Sequence, residues 1–374
     1  MRFKAAVLHR PGEALRIETV ELGALKPGDA LVRIRAAGLC HTDLEVIEGQ
    51  LAYPMPIVLG HEAAGTVEAV GEAVGEGVDR IQPGDPVVLS WNPHCGHCFY
   101  CEQDQPILCE SYLRLGPQAV QFDGTARLSL AETGQPVHHL MFLGAFAEYC
   151  VVPAQSAVRV PPEIPFDRAC LIGCGVMTGV GAAIRVASVA YGANVVVIGC
   201  GAVGLSAVQG ARLAGAGRIV AVDIDPRKLE LARQVGATDA LDAAAGDPLP
   251  AIRELTQGRG ADYVFEAAGN ARAFRLSAEA VRPGGQIVWL GKVNVNEDVA
   301  FRWGALMGEK RIVRSSYGGA RPQRDFPLLA RAYLDGALHL DQMVSRRIRL
   351  DEINDGFAAL KRGDVVRAVV TFDA

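Results

Sequence analysis

Val195-Val196-Val197-Ile198-Gly199-Cys200-Gly201-Ala202-Val203-Gly204 is the stretch on which the fold turns. Four consecutive β-branched residues read as a strand buried on both faces, the pattern of a parallel sheet. The next six residues spell G-x-G-x-x-G, and Leu205 to Leu213 follows as a helical segment. Asp223 closes the next apolar run, Ile219 to Val222, about twenty residues on. The glycine motif alone is weak, but strand, turn, helix and distal acid in that order form a dinucleotide fingerprint. Gly199 makes the tight turn, Gly201 lets the backbone approach a pyrophosphate, and Gly204 permits close helix–strand packing. The helix opening at Ala202 and Val203 offers N–H donors and a favourable dipole. Asp223 would accept hydrogen bonds from the adenosine ribose and repel a 2′-phosphate, which favours NAD over NADP.

Working outward, Arg227 to Val235 reads as a helix ending at Gly236, and Tyr263 to Glu266 and Gln286 to Leu290 read as further strands. Alternating β and α units predict a doubly wound parallel sheet. The first 155 or so residues differ. Leu31 to Ala36 and Thr66 to Val70 alternate with period two, between the turns Pro27-Gly28-Asp29 and Pro83-Gly84-Asp85. Pro161-Pro162 marks a hinge, and the tail from about Tyr317 mixes helix and strand again.

A chain of 374 residues exceeds one ordinary compact domain, so two are expected. Half the residues are apolar and the net charge is −5, which gives no broad attraction to nucleic acid or anionic lipid. The charge-free stretch Val186 to Ala211 has the length of a membrane span, but Asn194, Gln209 and repeated glycines argue against one. No signal-peptide pattern precedes Pro11, and nine cysteines, an odd number, do not suggest a disulfide framework. A cytoplasmic protein with metal-binding cysteines is the expectation.

Cys95, Cys98 and Cys101 are separated by two residues each, and Cys109 follows after seven more. Such spacing lets four thiolates face one ion, and a shell closed by four cysteines has no place for substrate. Structural zinc is the expectation, with an iron–sulfur cluster as the alternative by spacing alone. Cys40, in Cys40-His41-Thr42-Asp43, and His61, in Gly60-His61-Glu62, are further ligand candidates. Pattern alone neither pairs them nor chooses Cys174 over Cys150, Cys170 or Cys200.

Gly38 to Asp43, Gly60 to Gly65, the cluster 95–109, Gly173-Cys174-Gly175 with Thr178-Gly179, and the fingerprint 199–204 follow one another in an order that resembles the zinc-dependent medium-chain alcohol dehydrogenases. The resemblance covers essentially the whole chain, nearest to the branch of class I, class III and aryl-alcohol enzymes. It implies an α/β protein with a GroES-like β-rich catalytic domain from 1–165 and 317–374 and a Rossmann domain from 166–316. It implies NAD as cofactor and two zinc ions per chain. Cys40, His61 and Cys174 would hold the catalytic zinc, with Glu62 behind it and Asp43 orienting His61. Thr42 would bond the alcohol oxygen. His41 and Arg367 would lie near the pyrophosphate, Asp223 and Lys228 near the adenosine ribose, and Thr178 and Val203 against the nicotinamide. Hydride would pass between a primary alcohol, aryl or allylic among them, and NAD+. Glu45 stands where the family places the proton-accepting histidine, so Glu45, His41 and water are the candidates for that role.

Trp91 matches a pocket position and would narrow it in favour of flat or slender alcohols. Class III relatives that oxidise the glutathione adduct of formaldehyde carry acidic residues before the Gly-His-Glu motif, and Gly49 to Pro56 has none. Arg114 is displaced by one residue from the thiol-carboxylate arginine. A formaldehyde–thiol adduct dehydrogenase is therefore the second reading, and a non-catalytic crystallin-like relative, which would lack the zinc ligands, the third. The long segment Glu110 to Gly144 resembles that of dimeric members, so a homodimer is expected, with a tetramer as the alternative.

Overall fold

The computed structural model describes residues 1–72, 80–294 and 296–372. The chain divides into two compact units. The first comprises 1–174, 321–335 and 343–374; the second comprises 175–320 and 336–342. The division falls at 174/175, where the sequence reading put 165/166, and residues 336–342 join the second unit. The reason for the first difference is physical: residues 166–186 form one continuous helical run, so no loop marks the boundary. That run is apolar and long enough to cross a membrane, yet 78% of its most apolar window is buried inside the protein. The charge-free stretch Val186 to Ala211 is no span, because it is broken into the strand Asn194–Ile198 and the helix Ala202–Leu213.

The first unit is built on antiparallel strands. A small closed barrel includes Arg2–Leu8, Arg16–Leu22 and Ile57–Val58. Beside it runs a seven-stranded sheet centred on Asp29–Gly38 and Ala63–Val70. The period-two alternation holds only in part. Asp29–Gly38 is buried at nearly every position, because both of its faces are covered. The last strand, Arg367–Thr371, pairs antiparallel with Asp29–Gly38, which brings the C-terminal segment back to the residues that lead into Cys40.

The second unit carries a six-stranded parallel sheet. Its order is Asp239–Asp242, Arg218–Asp223, Asn194–Ile198, Ala261–Glu266, Val281–Trp289, Arg311–Arg314. Val195 to Val197 are fully buried, as their uninterrupted apolar run requires. The helix Pro226–Gln234 starts with proline at its first position, and the Asp225 side chain caps it by accepting from the Arg227 N–H.

Candidate metal and dinucleotide sites

The first site assembles at the end of Asp29–Gly38. The strand delivers Cys40 as the cap of the short helix His41–Ile47. Asp43, one turn in and fully buried, accepts from the backbone N–H of Cys40 at 3.3 Å and of Gly60 at 2.9 Å. The same carboxylate lies 3.1 Å from Nδ1 of His61. A His Nδ1–H donated to a carboxylate fixes the tautomer and turns the Nε2 lone pair outward as a ligand. That Nε2 lies 3.4 Å from Sγ of Cys174. Cys174 sits on a widened helical turn, Ile172–Val176, of the kind that is frequent at functional sites. The donor atoms of Cys40, His61 and Cys174 all lie within 4.8 Å of one another. Two thiolates and an imidazole suit zinc and leave one tetrahedral corner for another ligand.

Behind these donors lies an ion pair sunk in the core. Arg367 Nε is 3.2 Å from Glu62 Oε1, and its Nη2 is 3.7 Å from Cys40 Sγ. Arg367 and Glu62 are both buried. Burial pushes the Glu62 carboxyl up to about 7, against the pull of Arg367. The hydrogen bond with Cys174 holds the Cys40 thiol well below its ordinary value, helped by Arg367 and His61 against the cost of burial. Glu62 is not one of the three converging donors. The resemblance puts Arg367 at a pyrophosphate; the contacts the structure gives it are Glu62, Cys40 and the Val366 carbonyl. Thr42 and Glu45 are half-buried on the helix His41–Ile47, one turn apart, and His41 is exposed at its start.

The second cluster forms in loops. Sγ atoms of Cys95, Cys98, Cys101 and Cys109 lie within 4.8 Å of one another, and Cys98 to Cys101 measures 3.5 Å. A tetrahedral zinc with bonds near 2.3 Å sets its sulfurs about 3.8 Å apart, so the group is already close to that geometry. All nine cysteines are free thiols, so no disulfide competes. Against the cost of burial, backbone N–H groups of Glu110 and Cys101 bring the Cys98 thiol down to about 6. Arg114 is exposed and lines a cleft of about 560 Å³ beside Cys95, together with Lys26 and Ser111.

The third site belongs to the second unit. Gly199 has φ +92°, and a side chain there would strike Ala268 N at 2.6 Å. A Cβ on Gly204 would lie 1.7 Å from Gly199 O, so the helix and turn touch backbone to backbone. Gly201 faces open space, and the helix Ala202–Leu213 that it precedes has no side-chain cap. The first-turn N–H groups thus suit a phosphate. Asp223 Oδ2 accepts from Cys200 N at 2.6 Å, and Oδ1 accepts from Ile224 N and Asp225 N. The acid therefore locks the glycine turn and keeps lone-pair capacity for a ribose hydroxyl. Lys228 is half-buried one turn into the next helix. Gly179 packs against the Val203 carbonyl, where a Cβ would come within 2.3 Å, and this sets Thr178 and Val203 on adjoining helices.

The comparisons with known proteins match segments of both units. The alcohol dehydrogenase GroES-like domain matches residues 26–162, and the zinc-binding dehydrogenase domain matches 202–334. An S-(hydroxymethyl)glutathione dehydrogenase of Escherichia coli O1:K1 is 36% identical over the whole length of both chains. The chain belongs to the zinc-binding alcohol dehydrogenase family. An alcohol dehydrogenase zinc-binding domain protein from Burkholderia ambifaria superposes over both whole chains with TM-score 0.94 at 34% identity. The benzyl alcohol dehydrogenase of Acinetobacter calcoaceticus does so with TM-score 0.93 at 31% identity.

As an alcohol oxidoreductase of this family, the chain sets two tyrosines that sequence reasoning missed, Tyr112 and Tyr53, where they feel the charges of Cys174 and Asp43. Trp91 is half-buried, with its ring 6.1 Å from that of Tyr112. Burial raises the Tyr112 hydroxyl pKa, and Tyr53 and Cys174 add to the rise, so these three lie within electrostatic reach. Tyr53 is pushed up to about 12 by burial and by Asp43 and Glu45. Tyr53 falls in the stretch read only for missing acids. Nothing about Tyr112 in the sequence distinguishes it from an ordinary core aromatic.

Proposed function

We propose that this chain is an NAD-dependent zinc alcohol dehydrogenase that oxidises primary alcohols, aryl and allylic ones among them, to aldehydes. The convergence of Cys40, His61 and Cys174 within 4.8 Å is the observation that carries the reading. Zinc bound there supplies a Lewis acid that eases loss of the alcohol proton, and NAD+ supplies the hydride acceptor. Asp43 orients His61, and Arg367 balances the charge of Glu62 and Cys40. Thr42 Oγ would accept the hydrogen bond of the substrate hydroxyl, and Glu45 or His41 on the same short helix, or water, would take the proton. Cys95, Cys98, Cys101 and Cys109 hold a second, structural zinc. Gly199 to Gly204, Asp223 and Lys228 bind the adenosine and pyrophosphate, and the Asp223 carboxylate selects NAD.

Trp91, Tyr112 and Tyr53 favour a flat substrate, in keeping with the benzyl alcohol dehydrogenase among the solved structures. The formaldehyde–thiol adduct remains the second reading because of the Escherichia coli relative's name. Arg114, exposed on the cleft beside Cys95, gives it no support. We place the enzyme in the cytoplasm as a homodimer. Arg311–Arg314 is an edge strand, and Trp303 nearby in sequence is 77% exposed. A dimer would elute at twice the 39.7 kDa chain mass.

The test is NAD+ reduction across primary, secondary, benzylic and allylic alcohols and thiol-trapped formaldehyde. Highest kcat/KM on benzylic or allylic primary alcohols is expected. Turnover of the thiol adduct alone would favour the second reading, and no turnover of any of them would defeat both.

A further inference from the structure

Tyr53 and Tyr112 reach the first unit's metal donors from different directions. The chain leaves the helix His41–Ile47 by a turn in which Gln50 N and Leu51 N both donate to the Glu45 carbonyl, and Tyr53 follows two residues on. Tyr112 lies on the helix Glu110–Leu115. Its ring stacks on Phe142 at 5.6 Å, and the Trp91 ring leans on it at 6.1 Å. Trp91 follows the strand Pro86–Leu89, and the turn that carries Cys174 rests on the end of that strand. A Cβ on Gly173 would lie 2.8 Å from the Leu89 carbonyl oxygen and 3.7 Å from Ala63 N, two residues after His61. The backbone thus ties the ring group to the segments that deliver His61 and Cys174. The electrostatics agree. Cys174 and Tyr53 act on Tyr112, and Asp43 and Glu45 act on Tyr53.

Both tyrosine side chains are half-buried. Among the described residues neither hydroxyl has a hydrogen-bond partner in the protein. A phenol or indole taken into the core normally finds one, as Trp289 does by donating to Ser277 Oγ at 3.1 Å. Burial and the neighbouring acids keep both hydroxyls protonated, so both are available as donors. The same acids, Asp43 and Glu45, would repel an anion. A neutral acceptor atom on a ligand fits this pair. We propose that Tyr53 and Tyr112 donate hydrogen bonds to a neutral oxygen of the substrate remote from its reacting hydroxyl. The preferred alcohols are then aryl primary alcohols that carry an ether, carbonyl or phenol oxygen on the ring. The proposal rests on the aryl-alcohol reading above and narrows its substrate class.

Steady-state oxidation of 3- and 4-methoxybenzyl alcohol, each set against the ethylbenzyl alcohol of the same ring position, tests it. The ethyl group matches the methoxy group in size but has no acceptor. In the full-length wild type the better methoxy compound should exceed its ethyl partner in kcat/KM by about tenfold. The ratio should fall by about fivefold or more in Tyr53→Phe and in Tyr112→Phe. Ring electronics act alike in wild type and variants, so they cancel in that comparison. A general loss of activity would lower both substrates together and leave the ratio where it was. An unchanged ratio in either variant overturns the proposal. Should the variants fail to fold, the wild-type ratio decides, and a value of about one or below refutes the assignment. A wild type that oxidises secondary alcohols but none of these benzylic ones defeats the aryl-alcohol reading itself. One that oxidises methoxy and ethyl compounds equally well leaves that reading standing and overturns only the proposal.

Discussion

Two groups of sulfur ligands lie in the same unit, and the chain delivers them in opposite ways. Cys95, Cys98, Cys101 and Cys109 come from one short loop segment, three of them half-buried, with backbone N–H groups as their neighbours. Cys40, His61 and Cys174 come from a strand end, a strand approach and a widened helical turn. Around them stand Asp43, Glu62 and Arg367, all buried. The difference separates two tasks. A local loop closed by four thiolates can do little but hold its own fold together. A set gathered by the sheet, with a carboxylate on its histidine and a buried ion pair behind it, suits an ion with one corner open, the role proposed for it.

The largest expected effect breaks the second group. Cys174→Ala should lower kcat/KM by at least about a thousandfold and remove one zinc per chain, while thermal melting changes little. Metal analysis and alcohol-dependent NAD+ reduction check this. Breaking the first group should give the reverse. Cys98→Ala should lower the melting temperature by about 10 °C or more, yet leave the surviving folded enzyme active at low temperature. If Cys98→Ala abolished activity with no change in melting, the division of labour would be wrong. Asp43→Asn keeps the shape but not the charge behind His61. It should cost about ten- to a hundredfold in metal affinity or activity, measured by chelator competition and initial rates. The smallest effect is on selectivity. Trp91→Ala should raise kcat/KM for bulky secondary alcohols relative to benzyl alcohol by about tenfold. An unchanged ratio would remove Trp91 from the substrate pocket.

The same contrast explains what the sequence made legible. The loop cluster reads directly, because two-residue spacers already fix which thiolates can meet. Val195 to Gly204 with Asp223 reads directly too, because turn, helix and acid repeat a local geometry. The set of Cys40, His61 and Cys174 does not, since its members lie far apart in the chain on separate elements that only the tertiary fold brings together. Resemblance supplied those ligands where spacing could not choose among Cys150, Cys170, Cys174 and Cys200. Cys150, Cys170 and Cys200 prove to be buried thiols whose pKa burial raises. The Arg367 contact with Glu62 and Cys40 joins residues more than 300 positions apart, and no local pattern foretells it.

Zinc content of the purified enzyme, set beside that of Cys174→Ala and Cys98→Ala, addresses the pairing of the two sites most directly. Two zinc ions per chain in the wild type and one in each variant, with alcohol oxidation lost only in Cys174→Ala, is the expected result. A wild type with a single zinc or with iron in its place, or a Cys174→Ala protein that keeps both ions, would contradict it.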